Sequence, residues 1–424
     1  MTQLILAGSY FDNGYKIGQT GAEYIKQLLR RDKKLLLSAK KKRRSLLLFL
    51  FNKLRTGYGD YLEELRGMAL GAGVDFQDLF LENCPEILDK FSGCTSGAVN
   101  GPRYRFIIHN EDEDKWRSMK SCALLHYRNR KKNFRYSSFA YFGELAGNAF
   151  NWNNNGLFFS VDAVSGRRVD LKSAPRYFEA RRLLESKNLK ESLSFLRANK
   201  SASGFHYLFG EAVSKRIVSV EKYLGQTSVL EIKSGESFCH SNHYIHGLFR
   251  EKKKEEGRRK KEDGSFYRLK IAQENLTRTH LKNTSARDMS QFPQDQGATT
   301  KVCLLHSKEE LTPVLRKLAI SHTGCGDFLV PLRCDCVAVA QATASLSRLA
   351  DTRKSLATRA GCIFEMGSNQ TSPKEALKTW TMLLRQPLSG KSETKTFTTV
   401  LADFRTGKVS VYPAGDKKKK RAVR

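Results

Sequence analysis

Phe91-Ser92-Gly93-Cys94-Thr95-Ser96 stands at the seam between a helical region and a series of short β-rich runs. A lone cysteine is ordinarily a small buried hydrophobe. This one has unusual flanks: glycine before it permits the backbone angles of a strained turn, and hydroxyls after it can orient water and protons. On its N-terminal side, residues 14–90 have helical apolar spacing through Ile25, Leu28 and Leu29 and again through Tyr61, Leu62, Leu65 and Met68, ending near Gly71 to Gly73. On its C-terminal side, Arg103 to His109, Cys122 to Tyr127, Phe134 to Tyr141 and Leu157 to Ala163 read as strands. Turn residues such as Asn100-Gly101 and Asn155-Gly156 separate them.

A helix follows Pro175, with a break near Asn188. Strands resume at His206 to Gly210, Arg216 to Lys222 and Ser228 to Ile232, and a late hairpin joins Thr398 to Asp403 with Lys408 to Tyr412. Meanders with helices clustered between them predict packed antiparallel sheets covered by helices, an α+β class, rather than a βαβ repeat. There is no internal repeat and no glycine-rich phosphate loop.

The 424 residues have ordinary globular composition, 40% hydrophobic and 10% aromatic, but a formal charge of +31 from 74 Lys plus Arg against 43 Asp plus Glu. That excess would suit nucleic acid or a membrane surface. Much of it is concentrated in Arg30 to Arg44, Arg250 to Lys261 and Lys417 to Arg424, which read as inserts and a tail. Nucleic acid is therefore not the expected partner. The start lacks a basic n-region, and the longest apolar run, Ser45 to Phe51, is too short to span a bilayer. Nine scattered cysteines suit reduced thiols. A cytoplasmic protein without a transmembrane segment is expected.

Tyr58 to Val74 (YGDYLEELRGMALGAGV), then Asp78 to Glu86, then Gly93-Cys94-Thr95-Ser96, resemble in content and order the peptidase C45 family, typified by acyl-coenzyme A:6-aminopenicillanic acid acyltransferase. Gly143-Glu-Leu-Ala-Gly147, Asn153-Asn-Asn-Gly156 and Ala174-Pro-Arg-Tyr-Phe178 look closest to the animal branch that includes β-alanyl-dopamine/carcinine hydrolase. The resemblance implies the four-layer αββα sandwich of N-terminal-nucleophile hydrolases, self-cleavage between Gly93 and Cys94, and Cys94 as catalytic thiol. It implies as substrate a small amide or thioester, such as an N-β-alanyl biogenic amine.

The chemistry is coherent on its own. The Cys94 thiol attacks the Gly93 carbonyl, and hydrolysis of the thioester frees an α-amine. That amine has a pKa of ~7.7–8.0 and a free thiol ~8.5, so one residue supplies nucleophile and base near neutral pH. No cofactor and no metal are required.

By the same resemblance Asp112, in Ile108-His-Asn-Glu-Asp112, holds the new amine, although Glu111 to Asp114 also reads as a solvated acidic turn. Asn242, in Cys239-His-Ser-Asn-His-Tyr244, donates to the oxyanion. Arg268, in Ser265-Phe-Tyr-Arg268, is the charged group beside the nucleophile. Thr95, His109, Gly147 and Asn153 are expected to contact substrate. Two zinc readings, His240 with His243 and His246, and Cys303-x-x-His306 with Cys325, Cys334 and Cys336, lack a regular ligand spacing.

The implied organisation is 1–93 as a mostly helical pro-segment, 94–415 as the hydrolase chain with inserts near 250–261 and 307–393, and 416–424 as a basic tail. The two cleaved chains would stay together as a heterodimer. The competing class is a basic nucleic-acid- or membrane-surface-binding protein with a vestigial hydrolase fold.

Overall fold

The computed structural model describes residues 1–90, 93–114, 116–129, 133–164, 168–247, 269, 273, 363–365, 394–404, 406, 408–413 and 421–423. They belong to one unit, Met1–Asn283 with Leu356–Arg424.

The chain opens with a strand, β1 (Thr2–Leu6), followed by α1 (Tyr10–Arg31), α2 (Lys33–Lys42), α3 (Arg44–Ala72), α4 (Phe76–Glu82) and α5 (Pro85–Leu88). Ser9 caps α1 in a reciprocal box with Asp12, and Asp75 caps α4 by accepting from the Asp78 amide. Gly73, at φ 63°, terminates α3 in the left-handed conformation that glycine adopts without a Cβ penalty. A Cβ on Gly18 would lie 2.1 Å from the Met68 carbonyl oxygen, and one on Gly67 2.0 Å from that of Phe11. Only glycine lets α1 and α3 approach this closely.

Then follow β2 (Gly93–Asn100), β3 (Arg105–Asp114), β4 (Cys122–Asn129), β5 (Phe134–Tyr141), β6 (Phe150–Asn153) and β7 (Leu157–Val164). Helices α6 (Arg176–Leu183) and α7 (Leu189–Ala198) separate these from β8 (Gly204–Glu211), β9 (Arg216–Tyr223), β10 (Gln226–Ile232) and β11 (Glu236–His240). The break expected near Asn188 is the cap of α7, whose side chain accepts from the Glu191 amide. The last strands are β12 (Ile363–Glu365), β13 (Thr394–Asp403), β14 (Lys408–Pro413) and β15 (Arg421–Val423).

Two sheets result, one in the order β1-β4-β5-β6-β7-β8-β9-β10 and the other β12-β11-β2-β3-β13-β14-β15. All pairings are antiparallel except β1 with β4. The helices and the outer face of the first sheet share one apolar cluster, including Ile25, Leu65, Leu79, Phe159, Phe178 and Tyr207. A second cluster includes Leu124, Phe139, Phe158 and Leu208 from the first sheet and, on the facing side of the second, Ala98, Ile107 and Val400. The α+β class is therefore realised as helices on a sheet on a sheet. Among the described residues the helices cover the first sheet; the expected inserts near 250–261 and 307–393 lie outside the described residues apart from β12.

Candidate active site

Alternation along β2 sends Cys94 and Ser96 to one face and Thr95 to the other. Antiparallel register sets Cys94 opposite Glu111 and Ser96 opposite His109 on β3, while His240 on β11 pairs with Ser96 from the other side. The second sheet thus presents a row His240–Ser96–His109, with Cys94 and Glu111 two residues along. On the first sheet, register aligns Asp162 of β7, His206 of β8 and Glu221 of β9 in a facing row.

These two rows interlock by hydrogen bonds. The Cys94 thiol lies 3.6 Å from Glu111 Oε1, and Glu111 Oε2 lies 2.8 Å from His109 Nε2. His109 Nδ1 meets Ser96 Oγ at 2.9 Å, and that hydroxyl donates to Asp162 Oδ1 at 2.9 Å. Asp162 Oδ2 accepts from His206 Nδ1 at 2.7 Å. From there the chain continues through Ser219 and His246 to Ser228, with steps of 2.9, 2.9 and 3.1 Å. His240 Nε2 sits 3.0 Å from Glu221 Oε1, which also accepts the amides of Ile245 and His246.

Burial and pairing separate the protonation states along these rows. Burial pushes His206 down to about 3 and His246 to about 4, so both are neutral near pH 7. Burial opposes ionisation of Asp162 and Glu221. The hydrogen bond from His206, with the His240 ring 3.6 Å away, nevertheless holds Asp162 well below the usual carboxylate range, and hydrogen bonds from His240 and the Ile245 amide hold Glu221 at about 2. His240, between these two carboxylates, is raised despite its burial. Glu111 is raised by burial, offset in part by His109, and His109 is raised by its bond to Glu111.

Two groups of side chains come within metal-ligand reach, Cys94 with His109 and Glu111, and Asp162 with His206 and His240. In the second group the imidazole rings stack at 3.5 Å and 12°. An ion held by both Nδ1 atoms would lie half that separation out of each ring plane, where no lone pair points; the geometry suits a proton. His240, His243 and His246 form no ligand cluster among the described residues. Cys303, His306, Cys325, Cys334 and Cys336 lie outside those residues.

Cys94 is 1% exposed and Asp112, opposite Gly93 in the register, 4%. Glu111 and Asp112 are therefore strand residues in the interior, and the solvated-turn reading of this segment does not hold. Asn242, two residues beyond β11, accepts the Cys94 backbone N–H at 3.0 Å on Oδ1 and donates from Nδ2 to the Ala163 carbonyl at 2.8 Å. The Nδ2 group carries a second hydrogen besides the one given to Ala163, so donation to another oxygen does not require that bond to break. The Thr95 hydroxyl is buried without a hydrogen-bond partner among the described residues. His109 is held within the network and faces Glu111 and Ser96. Gly147, at φ 111°, donates its amide to Ser138 Oγ and abuts the backbone of Ala180 on α6. Asn153 braces a turn, accepting from the Asn155 and Leu157 amides and donating to the Ser186 carbonyl. Both sit against the helical layer. Arg268 lies outside the described residues.

Glu111, Asp162, His206 and Glu221 were not singled out by the sequence. Their signal was polarity at inward-facing strand positions, which becomes visible only with the register.

Residues 99–309 match the family model of the acyl-coenzyme A:6-aminopenicillanic acid acyl-transferases. The match covers about half of the chain, begins five residues after Cys94 and takes in β3 to β11. A curated relative, β-alanyl-dopamine/carcinine hydrolase of Drosophila melanogaster, is 27% identical over 218 residues, 46% of this chain and 56% of that protein. The chain thus spans little more than half the length of that relative. Among solved structures, a mutant of conjugated bile acid hydrolase from Clostridium perfringens is 11% identical with a TM-score of 0.37, covering 78% of this chain and 92% of that one. Penicillin V acylase from Agrobacterium tumefaciens is 9% identical with a TM-score of 0.36, covering 78% and 84%. No helix among the described residues is long and apolar enough to cross a membrane.

Proposed function

We infer that this acyl-transferase-family chain is an amide hydrolase or acyltransferase that cleaves itself between Gly93 and Cys94 and then uses the Cys94 thiol as nucleophile. The observation that carries this reading is that Cys94, second residue of a buried strand, has its nitrogen held by Asn242 and its thiol directed at Glu111. Those are the two atoms the chemistry needs, a leaving nitrogen and an attacking sulfur, each already positioned.

After cleavage the Cys94 α-amine remains against Asn242 Oδ1, with Asp112 close in the register, and serves as the base. Substrate carbonyl carbon bonds to Sγ, the amine departs with the proton, and water or a second amine releases the acyl group. The second N–H of Asn242 Nδ2 is assigned to the oxyanion, Thr95 to substrate, and Arg268 to the charged flank. The printed name of the fly relative supports an N-β-alanyl amine as substrate.

The 1–93 piece supplies β1, paired along β4, and the helices that cover the first sheet, which supports the two pieces remaining together as a heterodimer. Free thiols at Cys84, Cys94, Cys122 and Cys239 support action in the cytoplasm, where thiols stay reduced. The test is turnover of a β-alanyl amide of an aromatic amine, and of an acyl-coenzyme A thioester, by wild type and Cys94→Ala. Turnover of either that survives the substitution would remove Cys94 from the mechanism.

A further inference from the structure

The mature enzyme and its uncleaved precursor face different proton problems. Once the α-amine of Cys94 is free it can take the thiol proton, but in the intact chain the same nitrogen is an amide whose N–H is donated to Asn242 at 3.0 Å. An amide nitrogen has no basic lone pair to offer. Self-cleavage therefore needs a base from elsewhere in the chain.

We propose that Glu111, backed by His109, is that base: it accepts the Cys94 thiol proton during self-cleavage and returns it to the departing nitrogen. This rests on the Cys94 reading above. The strand register sets Glu111 directly opposite Cys94, with Oε1 3.6 Å from Sγ. Its other oxygen is fixed at 2.8 Å by His109 Nε2, and His109 is fixed in turn by Ser96, which Asp162 anchors from the first sheet. Glu111 is 1% exposed and His109 0%, so water does not compete for this contact. The charged groups facing Glu111 are His109 on its own strand, its neighbour Asp112, and Asp162 reaching His109 from β7 at 3.7 Å. A raised carboxyl suits the role, because it narrows the gap to a thiol.

The step balances. Sγ–H gives its proton to Glu111 Oε1 as sulfur bonds to the Gly93 carbonyl carbon. The tetrahedral centre then collapses, the carbon–nitrogen bond breaks, and nitrogen takes the proton from Glu111 as it leaves as an amine. Water hydrolyses the thioester, its hydroxyl going to Gly93 as a carboxyl and its hydrogen to Cys94 sulfur. Glu111 ends as it began, and the amine takes over as base for later turnovers.

The test follows conversion of the newly made 424-residue chain into 1–93 and 94–424 by intact mass against time. Positioned acid–base groups contribute about 10²–10⁴-fold, so Glu111→Gln is expected to slow cleavage at least 100-fold. Glu111→Asp, which keeps the carboxylate one methylene farther away, should retain part of the rate. Glu111→Ala should recover at least ten-fold when formate is supplied as a replacement carboxylate. His109→Gln should slow cleavage and shift its pH profile. If wild type cleaves and Glu111→Gln keeps pace within three-fold, Glu111 is not the base, and the Cys94 reading is unaffected. A block that neither formate nor Glu111→Asp relieves assigns Glu111 to the fold and overturns the proposal. Failure of wild type itself to cleave removes the underlying Cys94 reading instead.

Discussion

Replacing Asn242 separates two roles that its one amide can play. Oδ1 accepts from the Cys94 N–H and Nδ2 donates to the Ala163 carbonyl, tying the start of β2 to the end of β7 across the sandwich. Asn242→Ala leaves both buried groups without this partner, each at about 1–3 kcal/mol, so the denaturation midpoint should fall. The kinetic cost depends on what the amide does as charge develops. The nitrogen remains a donor to Oδ1 before and after bond breaking, and an interaction equal in both states does not accelerate a step. Loss of an oxyanion donor costs about 10²–10³ in rate, or roughly 2.7–4 kcal/mol. Asn242→Asp decides between the roles, because it keeps the acceptor and discards the donor. The account predicts that Asp falls nearly as far as Ala in a cleavage time course read by denaturing electrophoresis. If both variants cleave within three-fold of wild type, the reasoning about Asn242 is refuted.

Other consequences concern the scaffold. Gly18→Ala gains about 1 kcal/mol of helix propensity but forces a Cβ to within 2.1 Å of the Met68 carbonyl oxygen, and overpacking costs about 1–3 kcal/mol. A lowered melting temperature is expected, whereas Gly57→Ala, in open space, should not lower it; a stabilised Gly18→Ala would contradict the tight α1–α3 contact. Arg181 is fully buried, 2.8 Å from Glu64 and over the rings of Tyr61 and Tyr127. Arg181→Leu should cost about 3–5 kcal/mol in urea denaturation by stranding Glu64, with part recovered in the double variant with Glu64→Leu; equal losses would disprove the pairing. His246 is neutral when folded because burial lowers it to about 4, whereas unfolded it protonates near 6.5. The stability it permits is full above pH 6.5 and drains as pH falls toward 4, by up to about 1.4 kcal/mol per pH unit. His246→Gln should therefore lose less stability than wild type between pH 7 and 5, and parallel losses would count against a buried neutral His246.

Much of this architecture was legible locally. β5 has the bounds read for its β-rich run, and β13 and β14 pair as the hairpin expected from Thr398 to Asp403 and Lys408 to Tyr412. β2 escaped notice because Gly93 to Asn100 is built of small residues with both faces covered, and carries no large β-branched run except Val99. β1 was missed because its partner, β4, is about 120 residues away in sequence and parallel. Cys94 was found through its neighbours and Asn242 through a motif, yet Glu111 was passed over in favour of Asp112. The two differ by one position, and only strand parity and the β2–β3 register put Glu111 on the face of the thiol. His206 sat in a predicted strand without visible purpose, since Asp162 and His240 reach it from β7 and the opposite sheet.

The most direct test is intact-mass spectrometry of the purified chain beside its Cys94→Ala variant. The account predicts that wild type separates under denaturing conditions into two polypeptides ending at Gly93 and beginning at Cys94 with a free amine, while Cys94→Ala remains one chain of 48.1 kDa. A wild-type protein that stays a single 48.1 kDa chain, with Cys94 still in peptide linkage to Gly93, would contradict it.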